Sequence, residues 1–183
     1  MDGKEIMNRK RFMLGTLQCG LAVGTAALFP CAGSQIKAED RQTMAKKFKE
    51  AWIATLMQAM EEQIGVQPRT QLMESCGRAC ARRSSVMKTA QSCKGDVAKL
   101  VKTLAGFLGE GNRISGNVVE LKYPKCYCEL VADGPERLPD VYCHCSEGWV
   151  KEMFETAAQK KVRVETLQTI KRGADSCRFR ITI

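Results

Sequence analysis

The sequence predicts an α+β fold, with N-terminal helices packed on a small antiparallel sheet, then one more helix and a C-terminal β-hairpin. Three observations predict it. Apolar residues recur at helical spacing from Met44 to Leu108. They alternate at period two from Val119 to Tyr123 and from Val162 to Ile183. Gly109, Gly111 and Gly116 cluster where the first pattern gives way to the second.

The elements follow in chain order. Residues 1–33 read as an export signal. Arg9-Lys10-Arg11-Phe12-Met13 is a basic start of twin-arginine type, with Lys10 in place of the second arginine. An apolar stretch from Leu17 to Phe29 comes next, then Pro30-Cys31-Ala32-Gly33. The stretch is too short and too rich in glycine and alanine for a transmembrane helix. The membrane is therefore expected only through an uncleaved or lipidated N-terminus, and the protein is expected in the periplasm or another extracytoplasmic space. Residues 34–183 are expected to form a single cysteine-rich domain.

Residues 38–64 read as a helix. Met44, Phe48, Trp52, Leu56 and Met60 recur every fourth position, with Ile53, Met57 and Ile64 beside them, and the stripe is expected in the core. Gly65 ends this helix and Pro68 opens the next, over 70–91, with Leu72, Cys76, Ala79, Cys80 and Met87 inward. A third helix covers 96–108. Val119, Leu121 and Tyr123 then alternate with Glu120 and Lys122, as a half-buried strand requires. Val141, Cys143 and Cys145 read as a second strand, and Ser146 as the cap of a helix with Trp149, Val150, Met153, Phe154 and Ala157 inward. Residues 162–170 and 177–183 form the terminal hairpin around Lys171–Asp175.

Composition narrows the function. Charged residues are 27% and apolar residues 44% of the chain, which is ordinary for a soluble domain. The formal charge of +9 is spread along the chain with no basic run interleaved with aromatics, so nucleic acid is not an expected partner.

Cysteine is the unusual residue, with ten in 183 positions. Cys19 and Cys31 fall in the export segment. Cys126-x-Cys128 and Cys143-x-Cys145 carry the strongest chemistry. On strands, residues two apart share a face, so each doublet aims two thiols one way. Four converging thiolates suit Zn²⁺, with Zn–S near ~2.3 Å, or an iron–sulfur cluster. Disulfides are a second reading of an even cysteine count in an exported chain, and reduced or redox-active thiols a third. Cys76 and Cys80 are four apart on a helix, share a face and are poorly placed to pair with each other. Cys93 and Cys177 complete the thiols. His144, the one histidine, alternates out of phase with its cysteine neighbours.

The pattern Gly148-Trp149-Val150-Lys151-Glu152-Met153-Phe154-Glu155, then Val162-Arg163-Val164-Glu165, then Ile170-x-x-Gly173-x-x-x-Cys177-x-Phe179-x-Ile181 resembles the 4-vinyl reductase type of ligand-binding domain. It is also similar to bacterial proteins related to L-2-amino-thiazoline-4-carboxylic acid hydrolase, and to uncharacterised cysteine-rich relatives. The first resemblance implies a small, often dimeric α/β domain with a pocket for a small hydrophobic molecule. In some members cysteines and a glutamate of the hairpin hold a structural zinc. Glu165 and Cys177 match that pattern. Gln168 stands where a further cysteine is expected, and Cys143 or Cys145 is left to supply it. The second resemblance implies opening of a small cyclic C–N or C–S substrate. Three functional classes follow: a small-molecule-binding domain with a cysteine-held metal, a metal-assisted hydrolase, and a disulfide-stapled structural or interaction domain.

Overall fold

A computed structural model of the chain describes residues 38–131 and 137–183. The expected export segment, with Cys19 and Cys31, lies outside these residues. Helix α1 (Ala38–Gln63) is followed by α2 (Val66–Arg83), α3 (Val86–Ser92) and α4 (Val97–Leu108). Strands β1 (Arg113–Ser115) and β2 (Val118–Tyr123) come next. A 3-10 turn at Asp140–Cys143 runs into α5 (His144–Ala158). Strands β3 (Arg163–Gln168) and β4 (Cys177–Thr182) close the chain around a second 3-10 turn at Ile170–Arg172. The four strands form one antiparallel sheet in the order β1-β2-β4-β3. The α+β prediction stands, with a four-stranded sheet.

The sheet pattern was legible because its period is short and strict. On β2, Val119 and Leu121 point inward; on β4, Cys177, Phe179 and Ile181 do. These residues meet Leu100, Val101 and Leu104 of α4 and Val150, Met153, Phe154 and Ala157 of α5 in the main core. Asp96 caps α4, its carboxylate accepting the Lys99 N–H at 2.8 Å.

Four expectations change. The α1 stripe divides: Phe48 is 71% and Trp52 57% exposed, with Met44 and Leu56 also exposed, whereas its last member, Met60, is buried and Ile53 and Ile64 pack on the core. Met57 and Met60 face inward, against Met73 of α2 and Val131, Leu138, Val141 and Tyr142 in a second, smaller core. Both faces of α1 carry apolar residues, so periodicity alone does not choose between them.

The second helix is two helices, α2 and α3. Ser84 donates its hydroxyl to Ala81 O at 2.8 Å, and its N–H bonds the same carbonyl at 2.9 Å. Serine competing for backbone partners in this way ends a helix. The buried positions of α2 are Met73, Gly77 and Ala81, whereas Leu72, Cys76 and Cys80 are exposed.

Strand β1 was not anticipated; it is three residues long and exposed throughout.

The expected strand at Val141–Cys145 is helical, and Cys126-Tyr127-Cys128 lies in no strand. Three alternating residues are too few to establish a period. Helix α5 accordingly begins at His144, ahead of the Ser146 cap that was expected.

Candidate thiol centre

Helices α2 and α5 cross in backbone contact. A Cβ placed on Gly77 would lie 1.8 Å from the carbonyl oxygen of Cys145, and one on Gly148 would lie 1.9 Å from that of Glu74. Each helix therefore meets the other through a residue with no side chain. Ion pairs flank the crossing. Arg78 bonds Glu155 at 2.9 Å and Glu152 at 3.0 Å, Arg82 reaches Glu152 at 3.0 Å, and Lys151 reaches Glu74 at 2.7 Å. Cys145, in the first turn of α5, is held against the turn of α2 that carries Cys76 and Cys80.

The helical geometry of residues 140–145 decides where the doublet points. Residues two apart on a helix are separated by roughly 200° about its axis. Cys143 and Cys145 therefore face opposite sides. By the neighbouring charges that act on Cys143 and on Cys145, the cysteines fall into two overlapping groups.

The first group is Cys126, Cys143 and Cys177, beside the turn that follows β3. Cys143 Sγ lies 3.1 Å from Thr169 Oγ1, the thiol donating, and both residues are buried. The Ile170 N–H donates to Cys177 Sγ at 3.4 Å. Burial pushes the Cys143 thiol up; the Thr169 hydroxyl and the Arg172 guanidinium pull it partly back, and Cys177 and Cys126 push it further up. Burial likewise raises Cys177, against the Ile170 N–H and with Cys126. Arg172 is itself anchored on Asp140, forming an ion pair with its carboxylate at 3.1 Å and donating from Nη2 to its carbonyl at 2.9 Å.

The second group is Cys128, Cys145, Cys76 and Cys80. Cys128 Sγ and the Tyr142 hydroxyl are 2.9 Å apart, and Cys128 and Cys145 both pack on the smaller core. Burial first, then the charges of Cys128, Cys80, Cys76 and, last, Cys143, together push the Cys145 thiol up to about 12. Tyr142 is raised too, first by burial, then by its bond to Cys128 and by the charges of Cys128, Cys145 and Cys126.

All eight described cysteines are free thiols. Among the described residues no three or more His, Cys, Asp or Glu side chains stand closed up as a metal site. The thiols are neighbours, not a finished coordination shell.

The other candidates fall away from both groups. Cys93 is buried in the main core, its sulfur 3.8 Å from Ser92 Oγ, and acts as a small apolar filler. Glu165 stands opposite Arg180 in the sheet and pairs with Arg163 at 2.6 Å and Arg180 at 3.6 Å. Arg180 and Cys177 alternate to opposite faces of β4, so Glu165 and Cys177 are not brought together. His144 Nδ1 is 2.9 Å from Glu147 Oε2, and Glu147 Oε1 accepts the Thr166 N–H at 3.2 Å. This buried carboxylate ties α5 to β3 and orients the ring. Tyr142, Thr169 and Arg172 were not foreseen; each is distant in sequence from a sulfur it touches or faces. Gly77 and Gly148 did leave a signal, since a glycine inside a helix costs about 1 kcal/mol relative to alanine and calls for a packing reason.

Among described residues no helix is long and apolar enough to cross a membrane. The fold shows partial similarity to a crystal structure of the phenol-responsive sensory domain of the transcription activator PoxR with phenol. Identity is 14%, the TM-score 0.45, and 73% of each chain is covered. No curated protein matches the chain. Residues 30–183 match the family model described as a family of unknown function, DUF6144, and the chain belongs to that family.

Proposed function

For this member of the DUF6144 family we propose an exported small-molecule-binding domain in which Cys126, Cys143 and Cys177 hold a metal ion. What supports the reading is that the turn after β3 makes hydrogen bonds with the sulfurs of Cys143 and Cys177, and that the charges of Cys177 and Cys126 act on the Cys143 thiol. Burial pushes the Cys143 and Cys177 thiols up, which favours their protonated form in the absence of metal. A cation is the natural compensation for several buried thiolates, and the nearby Arg172 and the Ile170 N–H favour the charged sulfur. Three thiolates suit Zn²⁺, whereas an iron–sulfur cluster would call for a fourth cysteine. For zinc, three thiolates fill three of the four positions it takes and leave one for a small-molecule donor.

Export rests on the basic start and apolar stretch of residues 1–33. A twin-arginine route carries folded proteins, so a metal loaded in the reducing cytoplasm would travel already bound. That route reconciles an export signal with free thiols. The small-molecule ligand rests on the resemblance of residues 148–181 to ligand-binding domains and on the open fourth position.

The test is metal analysis of the full chain purified anaerobically without chelators, beside Cys143→Ser and Cys126→Ser variants. At least one equivalent of zinc or iron in the wild type, reduced by about one in either variant, is expected. A metal-free wild type that takes up no Zn²⁺ when reduced overturns the reading.

A further inference from the structure

We propose that the exposed side of α1 rests on a membrane surface rich in anionic lipid headgroups, with the helix lying in the plane of the interface.

Helix α1 is apolar on two nearly opposite sides. At ~100° per residue, Ile53, Met57, Met60 and Ile64 fall on one side, against the smaller core. Met44, Phe48, Trp52 and Leu56 fall on the other and are exposed, Met44 by 61%. Because the first side is already covered, the exposed side must be judged by itself. Four large apolar side chains in one row form a continuous patch, and such a patch on a folded domain marks a contact surface.

The charge around the patch selects the partner. Residues 41–49 hold Arg41, Lys46, Lys47 and Lys49 and no acidic residue. Lys47 and Lys49 are exposed and, by the same helical angle, flank the row on its two sides, while Arg41 stands at its N-terminal end. A lysine beside an apolar row lays its methylene stem along it and extends its ammonium to a phosphate. Tryptophan and phenylalanine between flanking lysines make the pattern of a helix that lies at a lipid–water boundary. Among the described residues no helix is long and apolar enough to cross a membrane, so the contact is peripheral.

A second copy of the chain fits the row less well. An antiparallel pair that sets Met44 on Leu56 and Phe48 on Trp52 has its centre at residue 50. Lys47 and Lys49 of both copies then stand within about 5 Å of that centre along the axis. Glu50, the acid at that position, is buried on its own domain. Four like charges oppose such a pair, and a parallel pair sets each lysine beside its equivalent. An anionic surface attracts the same lysines. This contact is independent of the thiol chemistry proposed above.

Tryptophan fluorescence tests it. The full chain is mixed with vesicles of phosphatidylcholine alone and of phosphatidylcholine with phosphatidylglycerol, with and without brominated acyl chains. The chain has two tryptophans, Trp52 and Trp149. Anionic vesicles are expected to move the emission to shorter wavelength, and their brominated form to quench it. Both effects are expected to vanish in Trp52→Phe and to be absent with phosphatidylcholine alone. Lys47→Gln/Lys49→Gln should weaken binding to anionic vesicles roughly 30-fold, and Phe48→Ser at least about tenfold. All these positions are exposed, and circular dichroism checks that the fold is kept. Attachment through the apolar stretch of residues 17–29 would leave Trp52 unquenched and be indifferent to the charge at 47 and 49; that result overturns the proposal. So does a chain that is dimeric in solution, becomes monomeric on Phe48→Ser and keeps Trp52 unquenched on vesicles, because a second copy then covers the row.

Discussion

The carbonyl oxygen of Cys145 occupies the space that a side chain on Gly77 would need, 1.8 Å from the position of its Cβ. The helix crossing and the placement of the Cys145 thiol are therefore one feature.

Gly77→Ala tests it. Alanine would improve local helix propensity by about 1 kcal/mol. The clash is with backbone and cannot be relieved by a rotamer change, so α2 and α5 must separate. A net loss of about 2–4 kcal/mol is expected in urea denaturation, and Gly148→Ala should behave alike through Glu74. An unchanged or raised midpoint for Gly77→Ala would show that the helices do not touch at that point.

The raised thiols set a pH dependence. Cys145 stands at about 12 in the fold against an ordinary 9.0. Between those values the unfolded chain has lost this proton and the folded chain has kept it. Stability is therefore fully present below pH 9 and falls as pH rises toward 12, by up to about 1.4 kcal/mol per pH unit for this group. Cys143 and Cys177 act in the same direction. Urea midpoints of the metal-free reduced protein between pH 8 and pH 10.5 should fall, and fall less in Cys145→Ser. Bound metal, which holds the thiolates, should flatten the slope.

Arg78 bridges Glu152 and Glu155 across the crossing. Burial pushes the Glu155 carboxyl up, but the hydrogen bond and charge of Arg78, helped by Lys161, hold it below its ordinary 4.5. The stabilisation is present above that value and is lost as pH falls through the lowered one. Arg78→Ala leaves two carboxylates without their shared partner and should cost about 1–3 kcal/mol at pH 7. The cost should shrink toward pH 4 as the carboxylates protonate. Chemical denaturation of wild type and variant at both pH values measures the difference.

How much was legible follows from the range over which each signal acts. Strands β2 and β4 were readable residue by residue, because Val119-Leu121 and Cys177-Phe179-Ile181 repeat a period-two burial that a strand alone dictates. Helix α4 carried its own cap in Asp96. The two cysteine doublets stand out in the sequence by their spacing alone. Their sorting was hidden, because it depends on residues 140–145 being helical and on Gly77 lying under Cys145, a contact 68 positions away in the chain. Thr169 beside Cys143 and Tyr142 beside Cys128 are products of tertiary packing, with no local sequence mark.

The outward turn of the α1 stripe gives the last prediction. Trp52 is 57% exposed and Met57 5%, although both sit in one apolar repeat. A tryptophan in a packed core costs about 3–5 kcal/mol when cut to alanine, whereas a surface side chain is usually worth within about 0.5 kcal/mol. Trp52→Ala should therefore leave the urea midpoint almost unchanged, while Met57→Ala, in contact with the smaller core, should lose about 2–4 kcal/mol. The tryptophan emission adds an independent reading, since a solvent-facing indole emits at longer wavelength than a buried one. Trp149, half-buried in α5, supplies the internal comparison in the same chain. A large loss at Trp52 with a negligible one at Met57 would mean that α1 is rotated about its axis, and that the stripe faces the core as its spacing first suggested.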